Sequence, residues 1–191
     1  MTALEKRLYS EDQYLELERG SDLKHEFYRG ELFAMAGGSE AHDLIAGNVR
    51  TRLTMQLFDR PCRVHGGDMR VKVEETGLYT YPDLSALCGP SEFATVSRTT
   101  LLNPALIVEV LSKSTQGYDK NEKFKQYRKI PSLRDYLLVS QHSVSLEHYS
   151  RQPEGFWRLD TYEALEDTFT LESIGCTLTL EGVYWKVDLE P

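Results

Sequence analysis

Leu44, Ile45, Val49, Leu53 and Leu57 recur at helical spacing and predict one long amphipathic helix that stops before Pro61. Ser39 can cap its start, and Gly47 is a weak point inside it. An earlier, shorter helix is predicted over 11–18, with Ser10 as cap, Gln13 as its capping-box partner and Gly20 as its end. Residues 25–28 and 31–36 read as two strands around the Arg29-Gly30 turn, after which Gly37-Gly38 breaks the chain. Further strands are expected at 63–65, 69–73 and 83–87. In the second of these, Met69, Val71 and Val73 alternate with Arg70 and Lys72, which predicts one wet face. Gly89-Pro90 opens a polar loop that reaches Asn103. The run PALIVEVL (residues 104–111) is almost continuously apolar and fits a central strand covered on both faces.

Ser114 or Thr115 caps a second helix, roughly 116–129, which Ile130-Pro131 ends. Residues 136–139 form a short buried strand, 143–149 and 156–161 a β-meander, and 178–180 with Tyr184-Trp185 close the domain. This order predicts an α/β fold of the α+β, mixed-sheet kind, with helices packed on a central sheet and an added β-meander. It lacks the steady βαβα alternation of a doubly wound fold. A chain of 191 residues is expected to form a single domain, 1–191, with a core of its own.

Composition narrows the function less than the pattern narrows the fold. No apolar run approaches the ~20 residues that span a bilayer, and the N-terminal segment has no apolar stretch after its charges. The expected location is therefore cytoplasmic, away from membranes. Cys62, Cys88 and Cys176 are far apart, odd in number and without CxxC spacing. They predict neither a disulfide framework nor a zinc site, but three small half-buried hydrophobes. The net charge of −8 counts against a broad basic surface for nucleic acid, although a local basic groove or a bound metal can offset an average.

Two acids stand out. Glu109 interrupts LIVEVL, where an ionised carboxylate is costly unless it is paired or metal-bound. The alternative is a salt bridge to a core Arg or Lys, or a strand end that reaches water. Asp83 follows Pro82 at the start of an apolar strand, and alone it reads as a strand-start aspartate. If the two strands pair, both carboxylates can point to one place, and hard oxygen ligands so arranged suit Mg²⁺ or Mn²⁺.

YPD (81–83) followed by a strand carrying EVL (109–111) resembles the PD-(D/E)XK nuclease signature. The segments YRGELFAMAGGSEAH (28–42), YPDLSALC (81–88), PALIVEVLSKST (104–115), YDKNEKFKQYRKIPSLRDYLLV (118–139) and LEGVYWKV (180–187) are similar to one branch of that superfamily, the Uma-two family of restriction endonuclease-like proteins. The resemblance spans nearly the whole chain. It implies a restriction endonuclease-like core and metal-dependent hydrolysis of DNA phosphodiester bonds, with Asp83 and Glu109 as metal ligands.

The superfamily's lysine is expected two residues after the strand glutamate, where this chain has Leu111. The resemblance makes Lys123, on the helix after that strand, the preferred substitute. Lys113 keeps the parity of Glu109 but falls past the strand end, and Lys72 is a third choice. Glu31 in RGEL also matches the family motif as an extra acid. His42, Asp68 and Tyr127 are accessory candidates, each with a bland alternative: a structural histidine, a turn aspartate and a packing tyrosine.

Other functions stay open on these residues. One is a catalytically silent nuclease-fold module that binds nucleic acid or a protein. Another is a metal-dependent hydrolase of small phosphoesters. No segment reads as a DNA-sequence reader. A homodimer is expected only in so far as double-strand cutting needs two sites.

Overall fold

In the computed structural model, residues 8–35, 37–94, 98–112 and 116–189 are described. Helix α1 (Glu11–Gly20) begins at Ser10, whose hydroxyl and the Gln13 side chain close a reciprocal capping box. Strands β1 (His25–Tyr28) and β2 (Glu31–Ala34) form a hairpin whose turn holds Arg29 and Gly30 at positive φ. Helix α2 (Glu40–Gln56) is capped by Ser39 and buries Ile45, Val49 and Leu53, as its spacing predicts.

The strands that follow are β3 (Cys62–Gly66), β4 (Arg70–Val73), β5 (Leu78–Thr80), β6 (Leu84–Cys88), β7 (Thr100–Leu101) and β8 (Leu106–Leu111). After β8 comes α3 (Gln116–Tyr118), then a π-helical turn (Asp119–Lys123), then α4 (Phe124–Tyr127). Strands β9 (Asp135–Ser140), β10 (Leu146–Arg151) and β11 (Trp157–Tyr162) make the meander, and β12 (Thr168–Leu171), β13 (Cys176–Thr179) and α5 (Leu180–Val183) complete the chain.

The strands fall into two main sheets rather than one. A five-stranded sheet runs in the order β2-β1-β5-β4-β7, a mixed six-stranded sheet in the order β11-β10-β9-β8-β6-β3, and β12-β13 is a separate ribbon. Within the larger sheet β8 pairs parallel to β9 and antiparallel to β6, so the apolar LIVEVL strand is central, as its composition requires.

Strand parity sorts the side chains into layers. Leu106, Val108 and Val110 on β8 pack with Ile45, Val49 and Leu53 of α2. Ile107 and Leu111, on the opposite face, pack with Val71, Val73 and Leu78 of the five-stranded sheet and with Tyr127. The far face of the five-stranded sheet is covered by α1, where Tyr14 meets Phe27 and Tyr79. The two sheets therefore face each other, with α1 outside one and α2 outside the other.

This layering corrects the reading of β4. Its face bearing Arg70 and Lys72 is not wet, because α1 lies over it. The Arg70 guanidinium is buried above the rings of Tyr14, Tyr79 and Tyr81, and Lys72 Nζ pairs with Glu11 at 2.7 Å. The cysteine reading is corrected as well. Cys62 and Cys88 are direct partners in the β3-β6 register and form a disulfide, so only Cys176 is the buried free cysteine. The helix predicted over 116–129 is shorter and contains the π turn, and its proposed caps, Ser114 and Thr115, lie outside the described residues. Strand β7 falls in the stretch read as a polar loop, β5 and β12 fall in stretches given no element, and each is four residues or fewer.

Candidate active site

Glu109 sits on the β8 face that looks toward the five-stranded sheet, with Ile107 and Leu111 as its same-face neighbours. It is only 4% exposed. Asp83 lies one residue before β6, whose first paired position joins Leu84 to Val108. Continuing that antiparallel register sets Asp83 opposite Glu109, and residues opposite one another project from the same face. The Val110 N–H donates to Asp83 Oδ2 at 2.7 Å, which fixes the aspartate to the strand that carries Glu109.

The π turn delivers the lysine. Asp119 and Lys123, four residues apart on this turn, lie on the same side, 3.2 Å apart, and both are buried. Lys123 Nζ is also 3.1 Å from Glu109 Oε1 and 3.0 Å from Glu26 Oε1. Glu26 reaches the cluster from β1, on the five-stranded sheet, and accepts from the Thr80 hydroxyl at 2.5 Å. The Tyr127 hydroxyl donates to Glu109 Oε1 at 2.8 Å. One ammonium therefore meets three carboxylates, one from each of β1, β8 and the π turn.

These groups open on a cavity of about 400 Å³. Four carboxylates line it, Glu26, Asp83, Glu109 and Asp119, against the single lysine Lys123; four minus one leaves three formal negative charges. The surplus is felt at Glu109. Burial, reinforced by the charges of Asp119, Asp83 and Glu26 and only partly offset by Lys123, pushes its carboxyl up to about 8. Against burial, the charges of Glu109, Glu26 and Asp119 hold the Lys123 ammonium protonated well above the ordinary range.

His42 enters from the start of α2, with Nε2 3.2 Å from Asp83 Oδ2. That contact raises its pKa over the opposing effect of burial. The approach depends on Gly38, because a Cβ there would lie 2.7 Å from His42 Nδ1. Ser39, the α2 cap, also donates to Gln141 Oε1 at 2.7 Å, which ties the helix start to the end of β9.

Of the residues singled out by sequence, Asp83, Glu109, Lys123, His42 and Tyr127 come together. Glu31 is not among the residues lining the cavity; it lies at the start of β2, whereas Phe33 and Ala34 further along the strand do line it. Asp68 pairs instead with Lys24 at 2.5 Å and borders a different, smaller cavity. Lys72 is committed to Glu11, and Lys113 lies outside the described residues. Glu26 and Asp119 were not anticipated. Glu26 could have been suspected from its place in HEFY, where it shares a strand face with Tyr28, and Asp119 from its i,i+4 spacing to Lys123.

Among the described residues no three of His, Cys, Asp or Glu converge as a preformed metal cage. Mg²⁺ does not require one, because it keeps several waters and is held by one or two carboxylates. The hard oxygens of Asp83 and Glu109, within a cavity of surplus negative charge, fit such an ion.

A family model described as "Putative restriction endonuclease", Uma2, matches residues 11–181. The chain belongs to the Uma2 family. Two relatives from Synechocystis sp. (strain ATCC 27184 / PCC 6803 / Kazusa) are similar over most of their length. The uncharacterized protein slr1290 is 36% identical over 92% of this chain and 90% of its own. The uncharacterized protein sll1609 is 37% identical over 77% and 83%. Among solved structures, the crystal structure of a putative nuclease belonging to DUF820 from Anabaena variabilis ATCC 29413 superposes with a TM-score of 0.74. That match covers 91% of this chain and 96% of that one at 15% identity, which bears on the fold. The architecture is restriction endonuclease-like, and family and fold together support a nuclease. Restriction endonuclease-like families generally use divalent metals, and their substrates are nucleic acids. Among the described residues no helix is long and apolar enough to cross a membrane.

Proposed function

We propose that this Uma2 member is an endonuclease that hydrolyses DNA phosphodiester bonds with Mg²⁺ or Mn²⁺ held by Asp83 and Glu109. The observation that carries the reading is the charge balance of the cavity. Four carboxylates face one lysine, and one of the deeply buried ones, Glu109, is pushed up to about 8. A dication is the simplest partner for that surplus. When bound, it supplies Lewis-acid neutralisation of phosphoryl charge and lowers the pKa of a coordinated water.

The chain's own groups supply position and hydrogen bonds. Val110 holds Asp83 by its N–H, leaving the carboxylate aimed into the cavity. Lys123, kept protonated by its three acids, acts as a hydrogen-bond donor and fixed positive charge for the attacking water or a phosphate oxygen, not as a base. The Tyr127 hydroxyl orients Glu109. His42 orients Asp83, and its raised pKa favours the form that donates to that carboxylate. Water attacks phosphorus in line with the departing 3′-oxygen, and the products are a 5′-phosphate and a 3′-hydroxyl.

One feature favours a second reading. Leu111 occupies the position of the superfamily lysine and packs in the core, while Lys123 is closed into ion pairs on three sides. A catalytically silent module would be built in this way. Calorimetric titration with Mn²⁺, paired with cleavage of a labelled DNA, separates the two. The enzyme binds the ion in the wild type, loses it in Asp83→Asn and cuts only in its presence; the silent module cuts nothing.

A further inference from the structure

Two aromatic rings stand at the mouth of this cavity. Phe33 is the direct cross-strand partner of Glu26 in the β1-β2 hairpin, so its ring leaves the same face as the carboxylate that pairs with Lys123. Because β2 is the edge strand, the Phe33 ring is 47% exposed. Tyr118, immediately before the π turn, is 39% exposed and stands 5.8 Å from Lys123 Nζ, measured to the ring centre. Burial, with the charge of Glu26, raises the pKa of its hydroxyl, so the ring stays neutral. Both rings line the cavity, and among the described residues neither takes part in an aromatic pair.

The electrostatics around them say what they do not bind. The described cavity lining carries four carboxylates, and its one lysine is already shared among three of them. A duplex-binding groove would show a track of cations for two phosphate backbones. With no such track in the described lining, the bases are the source of affinity that the cavity offers. In an intact duplex the base faces are stacked on one another and cannot reach Phe33 or Tyr118. Unpaired bases can, and stacking on aromatic side chains is the usual source of affinity for single strands.

We propose that Phe33 and Tyr118 form a stacking clamp for an unpaired nucleobase beside the scissile phosphate, so that the substrate is single-stranded DNA, such as a flap, gap or frayed end. This rests on the phosphodiesterase reading above and names its substrate class. The clamp places the base against the two rings while the adjoining phosphate faces Asp83, Glu109 and Lys123.

The test uses the full chain with Mn²⁺ and a fluorescein-labelled DNA strand of roughly 12 nucleotides, read by anisotropy. Three probes are compared: the single strand, the same sequence as a blunt duplex, and a strand in which abasic sites replace the bases. The single strand should bind about tenfold or more tighter than either of the others. Phe33→Ala should lose about tenfold on the single strand, and Phe33→Trp should retain wild-type binding. Tyr118→Phe should also bind as wild type, which separates the ring from its hydroxyl, whereas Tyr118→Ala should not. Phe33 is exposed on an edge strand, so its replacement leaves the core intact, which a thermal melt of each variant verifies. The clamp is overturned if duplex or abasic DNA binds as tightly as the single strand, if Phe33→Ala binds like wild type, or if no probe binds. Cleavage is scored in parallel. Base-dependent binding without cutting sinks the hydrolase and leaves the clamp, while cutting without base dependence does the reverse.

Discussion

The Lys123 ammonium lies 3.0 Å from the Glu26 carboxylate, and that contact bridges the helical segment after β8 to the five-stranded sheet. The same ammonium satisfies Glu109 and Asp119, so Lys123 is as much a structural ion as a candidate for chemistry. Lys123→Met should leave three buried acids without their cation and cost about 3–5 kcal/mol, the range found when one partner of a buried pair is removed. Urea denaturation at neutral pH measures it. Adding Glu26→Gln to Lys123→Met should recover part of the loss, because one orphaned charge is gone. Strictly additive effects in this double-mutant cycle, within about 0.5 kcal/mol, would mean the bridge carries no energy.

The two strand acids should behave differently from the lysine. Glu109→Gln removes a carboxyl whose ionised form is disfavoured by burial, so the fold should tolerate it well. Asp83→Asn keeps an acceptor for the Val110 N–H. Each change should nevertheless lower metal-dependent DNA cleavage by about a hundredfold or more, given the several kcal/mol attributed to metal stabilisation of the transition state. The assay is single-turnover cleavage with Mg²⁺, alongside a melt that shows the fold intact. Wild-type rates in either variant would remove that residue from the site.

Much of this site could be read before any coordinates, and the reasons are specific. Asp83 and Glu109 are acids placed in apolar strands, and such a misfit is visible in one dimension. The α2 stripe and the Ser10 and Ser39 caps are local signals and were met in the structure. What stayed hidden depended on partners distant in sequence. Arg70 looked solvent-facing because period-two alternation tells which residues share a face, not what covers that face, and here α1 returns over it. The Cys62–Cys88 bond needed the β3-β6 register. Glu26 and Asp119 carry only weak local signals in the sequence, a strand face shared with Tyr28 and an i,i+4 spacing to Lys123, and their part in the cluster shows once β1 and the π turn converge on Lys123.

The pH dependence of the metal-free protein follows from Glu109. Its carboxyl rises from an ordinary 4.5 when unfolded to about 8 when folded. Between those values the folded chain holds a proton that the unfolded chain has lost, so stability falls as pH rises through the window. The contribution is fully present below pH 4.5 and gone above about 8. His42 adds the same sign, because its raised pKa makes the folded state hold a proton that is shed as pH climbs. Thermal melts in the presence of a chelator should therefore show a falling Tm across this range, and Glu109→Gln should flatten the fall. A Tm that climbs instead would mean that Glu109 ionises as an ordinary surface carboxylate does.

The β3-β6 crosslink gives a prediction independent of the site. Cys62 and Cys88 are separated by 26 positions, and closing a loop of that size removes unfolded-state entropy worth about 3–4 kcal/mol. It also fastens the edge strand β3 to β6, the strand that begins beside Asp83. Reduction, or Cys62→Ser with Cys88→Ser, should lower the urea midpoint and steepen the transition, because the uncrosslinked chain exposes more surface when it unfolds. Thiol titration of the unfolded chain checks the bond directly. Without reductant one thiol should react, that of Cys176, since two of the three cysteines are joined. After reduction all three should react. Three reactive thiols in the air-oxidised protein, before any reductant is added, would show that the two strands hold free cysteines face to face and that β3 is secured by backbone pairing alone.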